Sequence, residues 1–175
     1  MLFGLTEKLR RYKSEIVDEF YMNIDDLLVN EKVIKLDDFT HHYCFTRLKH
    51  SLDVAYYSFF IAKLFNLDSR SVARAGLLHD LFFYDWRDEE YEGKNHAFEH
   101  PRIALENARE ICDINKVEEN IILRHMWLVT IIPPKYKEGY IVTFVDKYCA
   151  ARELLMSLYS RSKLRAVYEK AVIDV

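Results

Sequence analysis

Apolar side chains recur at helical spacing along most of this chain. From about Leu5 to Leu28 they fall at Leu5, Leu9, Tyr12, Ile16 and Phe20, with charges between them. A second stripe runs from Thr46 to about Phe65 through Leu48, Leu52, Ala55, Phe59 and Ala62. Asn66–Arg70 interrupts it, and Asp68 or Ser69 can cap the next helix, Val72–Leu81. Pro101 suits a first helical position, leading a helix towards Cys112, and Val117–Trp127 reads as another. Gly139–Tyr159 predicts a long buried helix, and Leu164–Ala171 predicts one more. Between these, Asp37–Tyr43 reads as a polar entry loop and Asp85–Glu99, with Gly93 and Asn95, as a charged surface loop. Val129–Ile132 is β-branched enough for a short strand, which Pro133-Pro134 ends at once. The pattern predicts an all-α bundle of about six or seven helices.

Composition supports that class. The chain holds only four Gly and three Pro in 175 residues, too few for the many turns of a sandwich or barrel. Half the residues are hydrophobic and the net charge is only −3, which excludes a disordered chain. No linker or repeat divides residues 1–175, so one domain is expected. No apolar run reaches transmembrane length, and the opening residues are charged too early for a secretory signal. Cys44, Cys112 and Cys149 form no CxxC pair, which suits a reducing cytoplasm. A pI near 6.2 argues against a dedicated nucleic-acid binder.

Chemistry-bearing residues stand out where apolar helices carry charge. Seven His and thirteen Asp yield about half a His-Asp dipeptide by chance, so His79-Asp80 gains weight only from its context. That context is Ala75-Gly76-Leu77-Leu78-His79-Asp80-Leu81, a buried helix end. Asp146 lies in the equally apolar Ile141-Val142-Thr143-Phe144-Val145-Asp146-Lys147. A buried carboxylate is costly unless paired, and a shared divalent cation or a buried Arg or Lys would each satisfy it. Arg47 and His50, three apart, can face one site, His50 as a ligand and Arg47 as a fork for phosphate oxygens.

Arg47-Leu48-Lys49-His50-Ser51, then Leu77-Leu78-His79-Asp80, then Asp146, resembles the HD superfamily of metal-dependent phosphohydrolases. Its signature H…HD…D falls on His50, His79, Asp80 and Asp146, in a core of about residues 46–150. The resemblance implies an all-α fold and metal-assisted hydrolysis. His100 and His125 match the two further histidines of two-metal members. By resemblance, His50, His79, Asp80 and Asp146 hold one metal, and His100, His125 and a bridging Asp80 hold a second.

The implied cofactor is one or two divalent first-row ions, iron, manganese or similar, with two favoured. The implied substrate is a nucleotide or other small phosphate ester or anhydride, attacked by a metal-activated water. Asp80 and Arg47 are then the catalytic pair, with Arg47, Lys147 and His96 as substrate contacts. The chain lacks the Ile-Gly-Lys that often follows the His-Asp pair, reading Leu81-Phe82-Phe83 instead, which leaves Lys147 as a phosphate neighbour. His96, four before His100, is assigned to a loop and so gains nothing from helical spacing. His41 and His42 read as surface residues, and Trp86 and Trp127 as core or pocket wall. The same ligand set also occurs in mixed-valence di-iron oxygenases, and a non-catalytic sensor would keep it too. No membrane partner is expected, and a homodimer is left open.

Overall fold

The computed structural model describes residues 2–42, 45–85 and 96–173, and the side chains of 14–40, 45–85 and 96–160. Trp86, Cys44 and the charged segment 86–95 lie outside the described residues, as do the side chains of His41 and His42. Seven helices account for most of the described chain: α1 (Leu2–Leu28), α2 (Glu31–Ile34), α3 (Arg47–Leu64), α4 (Ser69–Leu78), α5 (His96–Arg109), α6 (Lys116–Arg124) and α7 (Lys137–Ile173).

α3 and α4 form the centre, with α1, α6 and α7 packed around them. α1 contributes Ile16, Phe20, Ile24 and Leu27 to the core, spaced to share one helix face. Thr46 starts α3 by accepting from the Lys49 backbone N–H, and Asp68 starts α4 by accepting from Ser71. Asn115 and Glu118 close a reciprocal capping box at α6. α4 is buried at every residue from Ser71 to Leu78. Its close approach to α3 depends on Gly76, where a Cβ would stand 2.8 Å from the Ala55 Cα.

Several local expectations change. The segment read as a polar entry loop forms a 3₁₀ turn (Lys35–Asp38) and a two-stranded antiparallel ribbon, β1 (Thr40–His42) with β2 (Phe45–Thr46). Val129–Ile132 forms no strand; one bridge joins Trp127 to Thr130, and the segment is exposed. Pro133-Pro134 leaves no room for a ladder beyond it. α5 begins at His96, so Pro101 lies inside a helix and His100 is helical. Pro101 is the sixth residue of α5, past the first-turn N–H groups that lack partners, so it removes one i→i−4 bond, to the Ala97 carbonyl. The buried face of α3 centres on His50, Val54 and Ser58, leaving Leu48 and Leu52 half-buried. Leu164–Ala171 is part of α7 and not a separate helix. α7 is buried on one face only, with Phe144, Tyr148 and Leu155 exposed on the other. Among the described residues, no helix is long and apolar enough to cross a membrane.

Candidate metal centre

Five elements bring six residues to one buried point. α3 supplies His50, the end of α4 supplies His79 and Asp80, α5 supplies His100, the end of α6 supplies His125, and α7 supplies Asp146. His79 and His125 are both C-cap residues. A helix end leaves carbonyls without partners, and each ring satisfies one. His79 donates from Nδ1 to the Gly76 carbonyl (2.8 Å), and His125 from Nδ1 to the Ile122 carbonyl (2.8 Å). His100 does the same one turn back along α5, donating from Nδ1 to the His96 carbonyl (2.7 Å).

These three bonds fix three tautomers. With Nδ1 donating, each neutral ring turns an Nε2 lone pair inward. The His100 and His125 Nε2 atoms face each other at 2.9 Å. The buried His79 Nε2 makes no hydrogen bond among the described residues. It stands 3.7 Å from Asp80 Oδ2 and 3.8 Å from Asp146 Oδ1. Asp80 Oδ1 lies 3.3 Å from His100 Nε2 and 3.6 Å from His125 Nε2. Three imidazole lone pairs and two carboxylates therefore meet with few donors among them. Ligands about 2.1 Å from a common ion stand roughly 3–4 Å apart, so the donor set fits divalent cations. His50, His79 and Asp146 form one group that can hold an ion, and His79, Asp80 and His125 form another.

His50 is held differently. Its Nδ1 lies 3.0 Å from Glu153 Oε1 and its Nε2 lies 3.1 Å from Asp146 Oδ1. Burial opposes a charge on this ring, but hydrogen bonds to Asp146 and Glu153 raise it to about 10. A proton thus sits on Nε2 where a cation would compete for the lone pair. In metal-free protein, where these rings can take a second proton on Nε2, burial opposes charge on Asp80, yet the charge of His79 and a hydrogen bond from His100 hold its carboxyl well below the usual range. Asp146 is likewise lowered against burial, through His50, His79 and Lys147. His125 is pushed down to about 3, by burial first and then by the charges of His79 and His100.

The substrate-side residues lie around this cluster. Lys147 Nζ is 2.8 Å from Asp146 Oδ2 and 3.2 Å from the His125 carbonyl, with about a third of its side chain exposed. His96 stacks on His100 with ring centroids 4.4 Å apart, and the Tyr84 hydroxyl lies 3.1 Å from its Nδ1. Because α5 starts at His96, the helical i,i+4 relation to His100 does hold. Burial, then the charges of His100 and Arg47, push His96 down to about 4.

Arg47 departs from expectation. Its Nη1 donates to the Phe82 carbonyl (2.5 Å) and its Nη2 to the Tyr84 carbonyl (3.1 Å). The guanidinium also stacks on the Phe82 ring at 3.6 Å. At 1% exposure it presents almost no surface to a ligand. Its fork ties down the segment after the His-Asp pair through two backbone carbonyls.

A family model described as HD domain matches residues 47–151, well over half the chain. The chain belongs to the HD domain family. All six converging residues lie inside the matched span, and this HD domain is all-α, as its sequence pattern predicts. No curated protein and no solved structure matches the chain.

Glu153 and Tyr84 are the site neighbours that the sequence reading omits. Glu153 lies seven residues after Asp146, two helical turns on the same face, which is the one signal that points to it.

Proposed function

We propose that this HD protein is a metal-dependent phosphohydrolase acting on a nucleotide or another small phosphate ester or anhydride. The observation that carries this reading is the convergence of the His79, His100 and His125 lone pairs on the Asp80 and Asp146 carboxylates. In this reading His50, His79 and Asp146 hold one ion, and His100 and His125 hold a second. Asp80 turns Oδ2 towards His79 and Oδ1 towards His100 and His125, so it would be the carboxylate available to both groups. Bound divalent ions supply Lewis acidity, neutralising phosphoryl oxygens and making a water nucleophilic near neutral pH.

The remaining residues orient and bind. Lys147 holds Asp146 Oδ2, and with about a third of its side chain exposed it can offer charge to a phosphoryl oxygen. His96 stacks on His100, and Arg47 positions the Phe82–Tyr84 backbone that carries Tyr84 to His96.

Anaerobic purification, loading with iron, manganese or cobalt, and a nucleotide and phosphoester panel test the reading. Phosphate release that needs added metal and proceeds without oxygen supports it. Loaded protein that releases no phosphate across the panel contradicts it, and oxygen consumption coupled to substrate loss assigns the site to oxygenase chemistry instead.

A further inference from the structure

α7 carries two apolar seams, and only one meets the core. Val142, Asp146, Cys149, Glu153 and Ser157 are buried against the bundle. On the opposite side Phe144, Tyr148, Ala151, Leu155 and Leu158 are all exposed, Leu155 at 66%. Their spacing is four, three, four, three, the repeat by which one helix pairs with another along a continuous seam. Leu154, Met156 and Tyr159 are exposed beside them, which widens the apolar surface towards residue 159.

The seam does not end at the helix. Phe144 packs edge-on against Trp127 with ring centroids 6.1 Å apart. Directly after Trp127, Leu128, Val129, Ile131 and Ile132 are exposed, Ile131 at 90%. Residue 128 holds a left-handed backbone, with φ of 81°, which is unusual for Leu. Half-exposed side chains of this size each present on the order of 100 Å², so the combined patch offers roughly 800 Å², about what each partner buries in a stable complex.

We infer that this face is a homodimer interface, formed by antiparallel pairing of α7 with α7 of a second copy. The occupant follows from the order of sizes along the seam. In antiparallel heptad pairing, Tyr148 of one copy lies over Ala151 of the other, and Phe144 over Leu155. Each contact occurs twice about the two-fold axis, as a self-complementary interface requires. Large meets small at the axis, which accounts for an alanine in an otherwise bulky seam. Charge does not oppose the contact. The net charge is only −3, and the flanking Arg152 is already engaged by Asp53 and Tyr57. The pairing lies on the side of α7 away from Asp146, which is buried against the bundle.

Sedimentation velocity on the full chain tests this. Wild-type protein is expected to sediment as a dimer, and Leu155→Glu as a monomer with unchanged circular dichroism. The dimer dissociation constant should rise by about a hundredfold or more, since the substitution acts twice across the axis. Leu64→Glu, a substitution at an equally exposed apolar residue on α3, should remain dimeric. A wild-type monomer at the highest soluble concentration overturns the inference. So does a Leu155→Glu dimer of wild-type affinity, or a Leu64→Glu monomer.

Discussion

The His50 Nδ1 lies 3.0 Å from Glu153 Oε1, and both side chains are fully buried. A carboxylate behind a liganding imidazole fixes the ring's orientation and raises the basicity of the far nitrogen. Glu153→Gln keeps the shape but weakens that support, and Glu153→Ala removes it. Metal affinity measured by chelator competition should fall about 10- to 100-fold in Glu153→Ala and less in Glu153→Gln. Equal affinity in all three proteins would show that Glu153 only packs.

Gly76 couples the two central helices to the site. A Cβ there stands 2.8 Å from the Ala55 Cα, a backbone atom that yields only if α3 and α4 separate. Gly76→Ala should therefore cost about 1–3 kcal/mol of stability as overpacking. Metal affinity should fall as well, because His50 is on α3 and His79 caps α4. Thermal unfolding and metal titration measure both, and an unchanged melting temperature would contradict the packing argument.

Arg47 distinguishes positioning from direct substrate contact. Arg47→Lys cannot reach the Phe82 and Tyr84 carbonyls together and leaves a buried acceptor short of a partner. A loss of about 1–3 kcal/mol in metal-free protein is expected. A contact made only to substrate would leave that stability unchanged and raise KM alone.

The His50 proton sets a pH dependence with a definite sign. This ring is raised from 6.5 to about 10 by Asp146 and Glu153 against burial, so the folded chain binds the proton more tightly than the unfolded one. In metal-free protein the resulting stability is full below about 6.5 and is lost as pH rises towards about 10. Metal must displace that proton, so metal affinity rises over the same window. Melting temperatures of metal-free protein that stay flat between these pH values, or that fall equally in His50→Asn, would refute this.

Much of the site was legible because its residues break the pattern around them. His79-Asp80 and Asp146 stand in apolar helices, where ionisable groups need a reason, and an ordered histidine set flanks them. Less legible were features set by packing. Gly93 and Asn95 give the stretch before His100 a loop composition, and Pro101 imitates a first helical residue, so the helical state of residues 96–100 was hidden. The adjacent Arg152 and Glu153 have different partners, Asp53 and Tyr57 for one and His50 for the other, which packing decides. Arg47 was read from its spacing to His50 and its fork geometry, whereas its partners are carbonyls 35 and 37 residues away, which no local pattern reveals.

The central claim is that six residues hold metal, and metal content per chain tests it most directly. Protein purified anaerobically and loaded with iron or manganese should carry two ions per chain. His100→Ala/His125→Ala, folded by circular dichroism, should carry one, because His50, His79 and Asp146 remain together. Wild-type protein that binds no divalent ion under these conditions would contradict the account.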